Sequence, residues 1–197
     1  MIMLPLFIAL EAALLGGIEH RSESWKHLFA LPVPRSSIYM AKLLIATLLM
    51  GVSMLSLFGW IFLTGKGIRL TNPDIGFEKP FPLIPIGSLV LAVYFASWFM
   101  ISIYIWITAR WQSFVIPIAI GIISVFLTLI ISQTSIWWLF PWALPGNVEN
   151  LLFTWFADQT NSPLSIGIVW RAIGLSLAGY VVVGTIGCRD FIRRDVL

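Results

Sequence analysis

The sequence predicts an all-α polytopic membrane helix bundle: about five transmembrane helices, an inner amphipathic helix and an outer re-entrant or interfacial helix. Three observations carry this. Of 197 residues, 59% are apolar and only 11% charged, and the mean hydropathy is strongly positive, a balance no water-facing surface of this size tolerates. The apolar residues fall in long runs broken by short polar stretches, and a span needs about 20 mostly apolar residues. The basic residues gather at the ends of those runs, where orientation in a bilayer is decided. Nothing is left over for a separate soluble domain, so residues 1–197 form one transmembrane domain.

The first span is expected at residues 1–17. It has no basic residue ahead of it and no small-residue cleavage site behind it, unlike a signal peptide. The others are expected at residues 38–64, 83–108, 114–136 and 166–188, each long enough to cross with some tilt at about 1.5 Å per residue. If the loop after the first span is cytoplasmic, the inner side holds Arg21, Lys26, Arg35, Lys42, Arg110, Arg189, Arg193 and Arg194. The outer side then holds Lys66, Arg69, Lys79 and Arg171, so eight bases stand against four. This puts the amino terminus outside the cytoplasmic membrane and the carboxyl terminus inside. Trp60, Trp137, Trp138 and Trp170 fall at outer ends and Trp106 and Trp111 at an inner turn, while Trp98 sits mid-span; indole rings prefer the two interfaces. The net charge of +3 therefore reads as topology, with lipid and not nucleic acid as the partner.

Between the first two spans, residues 20–31 read HRSESWKHLFAL. Ile18, Trp25, Leu28 and Phe29 form one apolar stripe with the charges elsewhere, so a short amphipathic helix follows. It ends before Pro32 and Pro34, which remove donors and hold their predecessors extended, and Ser36 or Ser37 then caps the next span. Such a helix can lie flat at the headgroups, its bases held by anionic lipid.

A second reading of this segment comes from resemblance. The stretch LEAALLGGIEHRSESWKHLFALPVPRSSIYMAKLL is similar to the second-span and first-cytoplasmic-loop region of the ABC-2 family of transporter permeases, including bacteriocin-immunity and antibiotic-export subunits. The positions that carry the likeness are Glu19, Trp25, Lys26, Leu31, Pro32, Arg35, Ile38, Tyr39 and Lys42. The carboxyl end, CRDFIRRDVL, resembles the Arg-Arg-Asp ending common in the family. The resemblance implies a permease subunit that exports a substrate while a separate ABC ATPase binds ATP and Mg and hydrolyses the ATP; this chain itself holds no cofactor. It implies a second permease chain, in a homo- or heterodimer, and a coupling helix in which Glu23, Trp25, Lys26, Leu28 and Phe29 contact the ATPase. Family members usually have six spans, and the stretch that begins here corresponds to their second. A natural short form and an earlier start codon are the two alternatives.

Between the fourth and fifth spans, QTSIWWLFPWALPGNVENLLFTWFADQTNSPLS is too interrupted for a span and too apolar for a loop in water. Asn147 is a candidate N-cap. Val148, Leu151, Leu152, Trp155 and Phe156 recur at helical spacing and predict an amphipathic helix at the outer face. Its alternatives are an interfacial anchor and, by resemblance, an outer gate formed by Leu151, Leu152, Trp155 and Phe156.

Single residues narrow the chemistry. Glu11 lies inside the first span, where a carboxylate is costly unless paired, neutralised or wetted. It is either functional, as the coupling carboxylate of an ion-driven secondary transporter would be, or it reaches water or another subunit. Ala12 with Gly16, Ala13 with Gly17, and Gly174 with Ala178 give small-x-x-x-small registers that permit close helix approach. Cys188 is the single cysteine, and His20 and His27 are the only histidines, so no metal site or buried haem ligation is expected. Gly59 and Gly65 have five residues between them where a phosphate-binding loop needs about four, and Gly67 stands where Ser or Thr is required. No catalytic residue is expected. The remaining rival is a membrane scaffold or assembly subunit that does not transport.

Overall fold

A computed structural model of the chain describes residues 3–21, 34–71, 82–111, 113–158 and 163–193. Seven α-helices run through these residues, with no strand among them: α1 (Met3–Arg21), α2 (Arg35–Thr71), α3 (Leu83–Ala96), α4 (Trp98–Arg110), α5 (Val115–Ile131), α6 (Leu144–Asp158) and α7 (Pro163–Arg193), with a short 3-10 turn at Trp137–Leu139. Five of them carry a proline in the first turn, Pro5, Pro85, Pro117, Pro145 and Pro163, where no intrahelical N–H is required and the fixed φ favours initiation. The all-α class agrees with the sequence reading.

Large apolar residues cover the outside of the bundle as well as filling its core. Small and hydroxylic residues share the interior with larger apolar ones: Ala9, Ala12, Ala46, Ala96, Ser97, Ser102, Ser124 and Ser176 are buried, as are Ile8, Leu43 and Met50. The outside is large and apolar, with Leu48 66%, Phe126 65% and Trp170 68% exposed. With lipid tails outside there is no hydrophobic drive to bury Leu or Phe, and helices associate by close packing of small residues and hydrogen bonds. Several buried hydroxyls are satisfied within their own helices, Ser124 Oγ donating to the Gly121 carbonyl at 2.8 Å and Thr128 Oγ1 to that of Ser124 at 2.7 Å. The chain is a membrane protein.

Three helical stretches are long and apolar enough to cross a bilayer, Arg35–Ile68, Leu83–Arg110 and Gly167–Arg193, while the apolar helices Met3–Gly17 and Val115–Ile131 are shorter. Their limits differ from the expected spans. The first helix continues past residue 17 to Arg21, so His20 and Arg21 end α1 instead of opening a new helix. The second spans 37 residues, about 55 Å at 1.5 Å per residue; it passes residue 64 and stops at Thr71, shortly before Pro73, whose predecessor is biased out of the helix. It also starts at Arg35 directly after Pro34, which leaves Ser36 and Ser37 inside the first turn and not at a cap. The fourth ends at Ile131, not 136, because Ser132, Gln133 and Thr134 turn back on it, Thr134 Oγ1 donating to the Ile131 carbonyl at 2.7 Å. The last continues to Arg193, so residues 188–193 of the basic ending are helical.

The split stretch α3–α4 is the hub. Its second half packs against α7, α1, α2 and α5, and its first half against α6, α2 and α7. One apolar cluster unites Ile8 and Ala12 of α1, Tyr39, Leu43 and Met50 of α2, and Met100, Ile101, Tyr104 and Ile105 of α4. A second unites Ala92 and Ala96 of α3, Leu144 and Val148 of α6, and Val169 and Ala172 of α7.

Candidate functional site

At one end of the bundle four helix termini meet. A Cβ on Gly16, near the end of α1, would lie 3.2 Å from Thr108 Cβ of α4. Tyr39, in the first turns of α2, stacks obliquely on Phe191 of α7 with ring centroids 5.9 Å apart, and its buried hydroxyl lies against Gly187 with no hydrogen-bond partner among the described residues. Asp190 joins α7 to α4: its Oδ2 accepts from Trp106 Nε1 at 3.2 Å and pairs with Arg110 Nη1 at 3.3 Å. Arg35, Lys42, Arg110, Arg189 and Arg193 thus come from three helices to one basic end, with Lys42 buried at 8% exposure. The segment joining α1 to α2 begins and ends here. Its residues Glu23, Trp25, Lys26, Leu28, Phe29 and Pro32 lie outside the described residues, and Glu19 is described only as part of α1.

Halfway along the hub the helix is interrupted at Ser97, between Ala96 and Trp98. The span expected at residues 83–108 is one apolar stretch long enough to cross, Leu83–Arg110, with a break at the single residue Ser97 that the sequence did not predict. Ser176 of α7, fully buried, fills the interruption: its Oγ donates to the Ala96 carbonyl at 2.9 Å and accepts from the Phe99 N–H at 3.1 Å. Backbone groups that leave the regular ladder inside a bilayer need such partners. The approach is close because position 179, one turn on, is glycine; a Cβ there would lie 2.5 Å from Cγ of the Phe99 ring. Beside the break, Tyr94 Oη donates to the Thr47 carbonyl at 3.1 Å, Thr47 Oγ1 and Tyr180 Oη share a 3.1 Å hydrogen bond, and Trp98 packs on Tyr180 at 5.0 Å.

The segment after α5 dips into the bundle. Trp142 Nε1 donates to Tyr104 Oη at 2.9 Å, the rings edge to face at 87°. Tyr104 lies seven positions beyond the break toward the basic end. Ala143, Leu144 and Val148 are 0% exposed, so this irregular backbone at depth is covered by protein, as it must be. From there α6 runs along α3 and α7. Asn147 does not cap it. The helix starts at Leu144, with Pro145 in its first turn, and Asn147 Nδ2 donates to the Ala143 carbonyl at 2.9 Å and to Ser132 Oγ at 3.3 Å. Leu151 and Leu152 are half-buried against the cluster formed by α3, α6 and α7, and Phe156 is half-buried too. The Trp155 side chain is outside the description.

Glu11 is half-buried in α1, and its Oε1 is enclosed with no hydrogen-bond partner among the described residues. Of the small-residue registers, Ala12, Ala13 and Gly16 are used inside this chain, while Gly174 and Ala178 face outward from α7. Asp190, Ser97, Ser176 and the Trp142–Tyr104 pair escaped sequence reasoning. Only Asp190 carried a local signal, as an acid between bases at a helix end.

No curated protein and no solved structure matches the chain. The family model described as ABC-2 family transporter protein matches residues 1–128, from α1 through most of α5, including the whole basic end except the last turns of α7. That is well over half of the 197 residues, and the chain belongs to the ABC-2 family of transporter proteins.

Proposed function

We propose that the chain is the permease subunit of an ATP-driven exporter in the cytoplasmic membrane, paired with a second permease chain and with a separate ATPase that binds and hydrolyses ATP. The observation that carries this reading is the family match, which includes the segment between α1 and α2. The gathering of five basic residues at the end where that segment is anchored supports a cytoplasmic position for it. On this reading Glu23, Trp25, Lys26, Leu28 and Phe29 meet the ATPase, the amino terminus is outside and the carboxyl terminus inside. The chain makes five crossings, with α1 and α5 as the short ones.

The packing supplies a route for the stroke. A push on the segment moves the end of α1 and the start of α2. These bear on α4 and α7 through the Gly16–Thr108 and Tyr39–Phe191 contacts, and Asp190 makes α4 and α7 move together. Rigid-body rocking of packed helices is an established way for such an input to travel. At the opposite end, Leu151, Leu152, Trp155 and Phe156 of α6 form the gate, which the rocking of α3 and α7 opens.

Charge reversal at Lys26 combined with Trp25→Ala is expected to release the ATPase from the purified complex and leave membrane insertion intact. Unchanged co-purification sinks the coupling assignment. A second reading, an ion-driven carrier, is favoured by the enclosed Glu11 oxygen. It requires transport that persists without nucleotide, collapses with the proton gradient and is abolished by Glu11→Gln. Neither kind of transport would leave a scaffold.

A further inference from the structure

A cavity of about 440 Å³ lies between α7 and the 3-10 turn that follows α5. One wall is a single face of α7, with Ile168, Arg171, Ala172 and Leu175 at i, i+3, i+4 and i+7, and the other is Trp137 and Trp138. Arg171 is the one charged side chain among the described lining residues, and no carboxylate is among them. It is exposed and makes no hydrogen bond or ion pair with any described residue. Its depth is fixed by the helix that carries it. Arg171 and Arg189 stand eighteen residues apart on the continuous α7, about 27 Å at 1.5 Å per residue, close to the roughly 30 Å of a bilayer's hydrocarbon core. With the basic end of the bundle at one membrane surface, Arg171 therefore stands at the opposite boundary of that core, where lipid phosphates begin and where indole rings prefer to lie. A cation at that boundary is costly until an anion meets it. The planar guanidinium donates two parallel hydrogen bonds to a phosphate, a fit that an ammonium lacks. Leu175, one turn deeper than Arg171 and half-buried, continues the wall as apolar surface.

We propose that this cavity binds one phospholipid, its phosphate held by Arg171 and the upper part of its acyl chains lying along Leu175 and the two tryptophans. On the orientation proposed above the lipid belongs to the outer leaflet; the binding itself is independent of the permease reading.

The test uses the purified full chain in uncharged detergent micelles, without ATPase or nucleotide. Phosphatidylglycerol is titrated in, and native mass spectrometry counts the lipid molecules retained. One saturable molecule is expected, with diacylglycerol of the same chains held at least tenfold more weakly and glycerol 3-phosphate unable to displace it. Arg171→Gln is expected to weaken retention about tenfold and Arg171→Lys to weaken it less, while Lys66→Gln, which removes an exposed base from α2, leaves it unchanged. Circular dichroism and size exclusion verify that the variants are folded, and the comparison of the three ligands on the unaltered chain needs no variant. Equal retention of diacylglycerol marks a groove for acyl chains alone, and displacement by glycerol 3-phosphate marks a site for soluble phosphate. Either result overturns the proposal, as does indifference of folded Arg171→Gln or an equal loss with Lys66→Gln.

Discussion

Ser176→Ala removes one oxygen and with it two hydrogen bonds across the interruption in the hub, to the Ala96 carbonyl at 2.9 Å and from the Phe99 N–H at 3.1 Å. Both are backbone groups in a dry interior, since Ser176, Ala96 and Ser97 are all 0% exposed. Hydrogen bonds in membrane proteins are worth roughly 0.6 kcal/mol on average and about 1.7 kcal/mol at most. Losing two together, with neither backbone group able to reach water, puts the destabilisation at about 1–3 kcal/mol. Ser97→Ala is the control. The Ser97 hydroxyl donates only to the Val93 carbonyl at 2.7 Å, which also accepts from the Ser97 N–H at 3.0 Å, so its removal orphans nothing and should cost less than about 0.5 kcal/mol. Equilibrium unfolding in mixed detergent micelles, followed by circular dichroism, measures both. A Ser176→Ala loss no larger than that of Ser97→Ala would show that the hydroxyl does not sustain the break.

Two glycines of α7 should respond with opposite signs: Gly179→Ala places a carbon against the root of the Phe99 ring and should lose about 1–3 kcal/mol, whereas Gly174→Ala meets nothing within 4 Å and should gain up to about 1 kcal/mol from helix propensity. The same unfolding assay reads both, and a matching sign would disprove the packing at residue 179. Asp190→Asn weakens a tie whose members are 43% and 29% exposed, so stability should change by less than about 1 kcal/mol, while substrate moved per ATP hydrolysed falls; an unaltered ratio would remove Asp190 from the route of the stroke. Trp155→Ala should lower transport more than it lowers the amount of inserted chain, and normal transport would discount the gate.

The fold class was legible because lipid solvation leaves its mark on composition, and run lengths located the ends of the apolar helices to within seven residues. The basic end was legible for the same reason, since Arg35, Arg110 and Arg189 each stop an apolar run. The break at Ser97 was not. Its neighbourhood, Phe95 to Phe99, contains neither proline nor glycine, and the partner that stabilises it lies about eighty positions away on α7. Asp190 was hidden likewise, because its two partners belong to another helix. At the outer segment the amphipathic spacing from Val148 to Phe156 was legible, but the helix starts at Leu144 with Pro145 in its first turn and is not capped by Asn147. The residues proposed for coupling stand apart from all of these, since residues 22–33 lie outside the described structure.

The dipping segment is fastened on both sides of the interruption at Ser97. Trp142 grips Tyr104 on the basic side, while Leu144 and Val148 lodge beside Ala92 and Ala96 on the other. A bend at the break cannot leave this segment behind: it must strip the indole from the phenol, pull the two aliphatic anchors from their seat, or carry the whole plug along. Flexing of the hub and displacement of the plug are thereby geared as one motion, and a thiol crosslink replacing the Trp142–Tyr104 contact would lock both together.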